Sequence, residues 1–346
     1  MYGSESGGYR GSMNPKETIQ AALKFEELDP VPYMSWIMPD VAPKIDEHYG
    51  SDSWRNTVVP YITGGHTVGE AGAKNLGNGL TRSPYGYISR EPLHHLEQFA
   101  LSTPSTDGYV WPVAEELGDW DTLAEKHRAE STSFRLCGPI YGFFERGSFM
   151  RGVENILVDM IEHPQFVHDL FDQYLKLKLE LIDLIIERIP VEAIFDGGDD
   201  CDQRGPMMGL SRWQEFIAPR LKAIIKHVHA KGLPVIFHMC GNVRPLVDDL
   251  LEMKLDGLES LQPEAMDVYE LKRATAGRMA LIGGLGMQST MRFGTPEQVR
   301  TETRKLIREL GRGGGYVVAP TKPIAGDFAP IPNAIAYLET ITNQDE

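Results

Sequence analysis

From about residue 190 to the C-terminus, short apolar runs and helical periodicities take turns, an order that few architectures tolerate. The runs VEAIF, PVIFHMC, LDGLESL, MALIGGL and GGYVVAP alternate with SRWQEFIAPRLKAIIKHVHAKG, VRPLVDDLLEMK, AMDVYELKRATAG, TPEQVRTETRKLIRELG and PIPNAIAYLETI. Strand-length segments each followed by a helix predict parallel βαβ units, because the connections are too long for hairpins. In the first of these helices Trp213, Phe216, Ile217, Leu221, Ile224, Ile225 and Val228 share one face, and Gly232 stands past its end. With upstream strand candidates such as VPYMSWIM, the pattern predicts an α/β fold, a (β/α)8 TIM barrel rather than an open doubly wound sheet. A chain of 346 residues accommodates one such barrel with insertions.

The rest of the chain is less regular. Residues 1–12, MYGSESGGYRGS, read as a tag or disordered N-terminus, with residues 13–346 forming the single barrel domain. Asn14, Pro15 and Glu17 form a helix start with a capping box. Residues 41–135 are rich in glycine, proline and aromatics without a sustained period, and are expected to form a loop-rich insertion lobe. Pro164 divides the long helical stretch that follows into two helices.

A formal charge of −15 disfavours a general nucleic-acid role, and no apolar stretch reaches the ~20 residues of a membrane span. Cys137, Cys201 and Cys240 lie far apart and suit a reducing cytoplasm better than a disulfide scaffold.

The run PVIFHMCGN ends a buried strand on two metal-ligand residues. Side chains two apart share a side of a strand, so His238 and Cys240 face one way while Phe237 and Met239 face the other. Strand C-termini carry the active site in barrels, which puts the pair at the mouth. Imidazole and thiolate suit zinc, which needs about three protein ligands at a catalytic site. The alternative is a hydrogen-bonded buried histidine beside an inert core cysteine.

A second cluster follows VEAIF, where Asp196, Asp199, Asp200, Asp202 and Gln203 fall within one loop. Such carboxylates serve as general bases, substrate-orienting groups or loop caps. Asp196, Asp200 and Gln203 are the catalytic candidates, Asp196 because it directly follows the strand. Cys201 sits among acids, which disfavours a thiolate nucleophile. Trp36, His66, Tyr141 and Lys322 are candidate substrate contacts, and His94, His95, Tyr85 and Tyr87 are weaker signals of the same kind. GGLG and GRGGG match no nucleotide-binding pattern.

The series FDGGDDCDQRGPM, FHMCGNV, LESLQP, IGGLGMQ, FGTPEQVR and GGGYVVAP resembles the uroporphyrinogen decarboxylase superfamily, especially its cobalamin-linked methyltransferase branch. The resemblance runs from about residue 14 and implies a (β/α)8 barrel with its site at the C-terminal mouth. In that branch a His-x-Cys pair binds zinc with a cysteine after a later strand. Here the later strand reads GGYVVAPTKPI, with Thr321 and Lys322 in that neighbourhood. Glu259, on the strand after the His-x-Cys strand, resembles the glutamate ligand of cobalamin-independent methionine synthase and is the third metal candidate. The decarboxylases' R-x-x-G-R segment has no counterpart in VPYMSWIMPDVAPK, which disfavours porphyrinogen binding.

The resemblance implies zinc-dependent methyl transfer between a small molecule and a corrinoid. No D-x-H-x-x-G pattern is present, so the corrinoid is expected free or on a partner protein. A methoxylated aromatic, with O-demethylation, is the favoured donor; methylamines and thiols stay open. The alternatives are a metal-independent decarboxylase using the acidic loop with Lys322 or Arg204, and a noncatalytic binding barrel.

Overall fold

The computed structural model describes residues 13–90, 95–326 and 328–345; the residues read as a tag or disordered N-terminus, and His94, lie outside them. Eleven strands are described: β1 (Ile62–Thr67), β2 (Lys74–Gly77), β3 (Leu80–Arg82), β4 (Ile88–Arg90), β5 (His95–Gln98), β6 (Phe134–Gly138), β7 (Ala193–Gly197), β8 (Val235–His238), β9 (Gly257–Leu261), β10 (Ala280–Leu285) and β11 (Tyr316–Pro320). A seven-stranded parallel sheet runs β1-β6-β7-β8-β9-β10-β11, and β2 to β5 form a separate four-stranded antiparallel sheet.

Five of the seven parallel strands, β6, β7 and β9 to β11, are buried along their length. That suits Val, Ile, Leu and Phe on both faces, since helices cover the outside and side chains fill the inside. Each alternating strand expected after residue 190 forms within a few residues of its apolar run. Helices Ala218–Ala230, Val247–Glu252, Val268–Thr275, Pro296–Leu310 and Ile331–Thr342 follow β7 to β11 in turn. The Asn14 capping box forms, with Asn14 Oδ1 accepting from Glu17 N at 3.0 Å and Glu17 Oε2 accepting from Asn14 N at 2.8 Å. Helices Val153–Glu162 and Pro164–Arg188 divide at Pro164.

Two expectations are corrected. The expected strand VPYMSWIM occupies the eighth position without making a full ladder. It bridges β11 at Tyr33–Val318 and the segment beyond β11 at Ile37–Ile324, with no further ladder described. Pro32 has no N–H to donate, so it only accepts, from Val318 N at 3.0 Å. The described sheet is therefore seven-stranded and barrel-like. The stretch 41–135, expected to be loop-rich, holds helices Ala42–Tyr49 and Trp120–Ala129, the whole antiparallel sheet, and barrel strand β1. β1 is hard to see because it reads ITGGHT. A Cβ at Gly64, whose φ is +83°, would sit 2.2 Å from Leu136 O, so close strand approach replaces the usual β-branched residue.

Among the described residues, no helix is long and apolar enough to cross a membrane.

Gly138, the last residue of β6, makes a similar approach: a Cβ there would lie 1.9 Å from Phe195 O. Backbone cannot yield as a flexible side chain can, so Gly138→Ala is expected to destabilise by at least ~1–3 kcal/mol. Chemical denaturation should show a lower midpoint with an unchanged slope; an unchanged midpoint would contradict the β6–β7 packing.

Candidate active site at the barrel mouth

β8 ends at His238, and burial alternates beyond it: Phe237 and Met239 are buried while His238 and Cys240 are partly open. The expected common orientation of His238 and Cys240 agrees with this pattern. His238 Nδ1 pairs with Glu259 Oε2, delivered by the neighbouring β9 in register with it. Glu259 is only 3% exposed, and a carboxylate so placed needs a charged partner. Burial alone would lower the pKa of His238, but Glu259, aided by Asp199 and Glu145, outweighs it and raises the group to about 9. With Nδ1 committed, Nε2 faces Asp199, 3.8 Å from Oδ1.

Cys240 Sγ donates to the same Asp199 Oδ1 at 3.4 Å. Burial and the Asp199 charge push its thiol up to about 12, so it holds its proton until a cation arrives. Cys240, Asp199 and His238 thus form a chain of two contacts. Glu259, expected as the third ligand, is paired with His238 Nδ1 in this structure and so orients its ring. Among the described residues, no three His, Cys, Asp or Glu side chains gather as a ready metal-holding group. The donor types are nonetheless those of zinc, and an imidazole braced at Nδ1 by a carboxylate is the usual outer-shell arrangement of zinc-binding histidines.

The acidic loop divides by burial. Asp196, 1% exposed, pairs with Lys178 Nζ at 2.5 Å and accepts from Gly197 N at 2.8 Å. Burial raises its pKa despite Lys178. Asp200, also 1% exposed, accepts from Trp213 Nε1 at 2.9 Å, and burial first, against that bond, raises it to about 6. Trp213 opens a single π-helical turn, Trp213–Ile217, that carries its indole to this carboxylate. Both aspartates therefore sit beneath the mouth, and the exposed Asp199 meets His238 and Cys240. Asp202 caps its own loop through Arg204 N and Gly205 N, and the Arg204 side chain is 91% exposed on the same carboxylate. Gln203 reaches across to Gln288 at 3.2 Å, away from the pair. Cys201 is buried against Met239, its thiol raised well beyond reach.

A cavity of about 220 Å³ opens beside the pair, lined by Met34, Trp36, His238, Glu259, Thr321 and Lys322 among others. Trp36 and Lys322 thus join the site. Tyr141 does not line this cavity; its carbonyl accepts from Lys178 Nζ at 2.9 Å. His66 is in β1 opposite Cys137. Tyr85 and Tyr87 are buried within the lobe and His95 is on exposed β5.

Sequence reasoning missed Asp199 as the bridging acid, and also Glu145, Arg146 and Lys178. The helix Phe143–Arg151 opens where the chain leaves β6, and a Cβ on Gly142 would meet Gly198 Cα at 2.5 Å. FFERGSFMR has no apolar stripe because it is buried nearly all round, so its charges gave no periodic signal.

A model of the uroporphyrinogen decarboxylase (URO-D) family matches residues 126–343, which contain the β8 pair, the acidic loop and the β11 exit. The chain belongs to this family. Proteins named as methyltransferases are among those it is similar to. A methylated-thiol–coenzyme M methyltransferase of Methanosarcina mazei is 27% identical over 132 residues, 38% of this chain and 33% of the relative. The chain thus matches about a third of that relative's length. A solved structure described as a methyltransferase from Methanosarcina mazei shares the fold at a TM-score of 0.71 with 17% identity, covering 97% of this chain and all of that one.

The URO-D barrel also places a titrating acid beside the mouth. Burial first, then Asp199, raises Glu145 to about 7 from its ordinary 4.5. Below pH 4.5 the group is neutral both folded and unfolded and costs nothing. As pH rises, the unfolded chain ionises first, and the penalty grows until the folded carboxyl ionises near 7. Glu145→Gln in chelator-treated protein should therefore match wild type near about pH 4 and exceed it by up to about 3 kcal/mol near about pH 8. Denaturant titrations at both pH values would check this; equal gains at both would contradict it.

Proposed function

We propose that this URO-D family member is a methyltransferase that moves a methyl group between a small molecule and the cobalt of a corrinoid, free or carried by a partner protein, with zinc held at His238 and Cys240. The observation that carries the reading is the arrangement of His238: Nδ1 fixed by buried Glu259, Nε2 turned outward to Asp199, and Cys240 on the same carboxylate. The methyltransferase relatives agree with it.

Zinc, when bound, supplies a Lewis acid for the oxygen, sulfur or nitrogen that carries the methyl group. The chain's own residues do the rest. Glu259 holds the His238 tautomer and ring orientation. Asp199 Oδ1 takes the Sγ proton that Cys240 must lose to become a ligand. Asp196 and Asp200 anchor the loop carrying Asp199, through Lys178 and Trp213. Trp36 walls the cavity and limits water, and Lys322 offers a cation beside a substrate's polar end. The aromatic surroundings favour a methoxylated aromatic donor, with O-demethylation as the reaction.

Metal content after dialysis tests this. Wild type should retain about one zinc per chain, His238→Ala and Cys240→Ala should lose it, and Glu259→Gln should weaken binding roughly 10–100-fold. Carefully handled wild type without zinc would overturn the metal assignment. One observation favours a second reading, metal-independent decarboxylation: the His238–Glu259 pair and the Lys322 cation line one cavity. That reading requires turnover that survives chelation.

A further inference from the structure

One buried cation near the mouth takes no part in the chemistry above. Arg146, in the first turn of the helix Phe143–Arg151, is 2% exposed. Its Nη2 pairs with Glu70, and its Nε and Nη1 are buried without a hydrogen-bond partner. The guanidinium lies 3.7 Å from the Tyr85 ring centroid, 5.0 Å from Tyr141 and 5.4 Å from Tyr174. The Tyr85 hydroxyl is likewise buried and unpartnered.

A buried arginine serving only the fold looks different in this chain. Arg135 gives Nε and Nη2 to Glu192 at 2.8 Å each and Nη1 to His127 O at 2.8 Å. Arg146 instead has a single carboxylate partner, carried by the loop after β1, and Glu70 is 31% exposed. Orphaned donors on a buried charge are costly, whereas a planar guanidinium is well matched to a carboxylate. The location also fits. Arg146 is one helical turn from Gly142, which packs on Gly198, and a Cβ on the adjacent Gly197 would lie 3.0 Å from His238 Cβ.

We propose that Arg146, with Tyr85, forms the recognition site for a carboxylate on the small molecule, and that Glu70 occupies this site in the ligand-free protein. Exchanging one carboxylate for another keeps the buried charge balanced, and Glu70, the more exposed partner, is the one that withdraws. The inference rests on the methyl-transfer reading for its use, since it assigns a carboxylate to the methyl-bearing molecule.

Calorimetric titration with benzoate, and with benzamide as its neutral counterpart, tests the site without corrinoid or turnover. Failure of methyl transfer therefore leaves the result readable. Benzoate should bind and benzamide should not; Glu70→Gln should tighten benzoate several-fold, and Arg146→Gln should weaken it at least about tenfold. If Arg146→Gln does not fold, Glu70→Gln decides alone, because a purely structural pair would lose stability without gaining affinity for an anion. Equal binding of the two probes, or benzoate affinity unchanged or absent in Glu70→Gln, overturns the proposal.

Discussion

Barrel strands buried on both faces leave ionisable groups almost nowhere to sit except the strand ends, and there each must bring a partner. Asp196 at the end of β7 meets Lys178, Asp200 in the next loop meets Trp213, and Glu259 of β9 meets His238. These pairings do more than neutralise charge. They fix the acidic loop from below, so that Asp199 remains to face His238 Nε2 and Cys240 Sγ. The mouth is polar because the barrel beneath it cannot be.

Much of this was legible in the sequence where one residue property sufficed. Apolar runs alternating with helical periods placed β7 to β11, and a two-residue spacing put His238 and Cys240 on one side. Legibility failed where structure depends on approach rather than pattern. β1 reads as loop because Gly64 admits the Leu136 backbone, and VPYMSWIM reads as a strand although it makes only two bridges.

The site shows the same division. Within DGGDDCDQ, proximity to the strand pointed to Asp196, but that position lies in the buried layer and belongs to Lys178, eighteen residues upstream. Roles inside an acidic cluster follow from which oxygen finds a buried donor, and those donors, Lys178 and Trp213, are on other elements. Arg146 had no sequence signal, since its helix has no polar face to betray it. Tyr85, from the lobe, packs on its guanidinium together with Tyr141 and Tyr174.

The proposed methyl transfer takes place at the β8 mouth. The most direct measurement is the absorbance of cob(I)alamin incubated with zinc-loaded protein and, in turn, a methoxylated aromatic acid, a methylamine and a methylated thiol. Conversion to methylcob(III)alamin with at least one donor, absent in Cys240→Ala, is the expected result. No conversion with any donor in either direction, alongside carbon dioxide release from a carboxylated substrate under chelation, would contradict it.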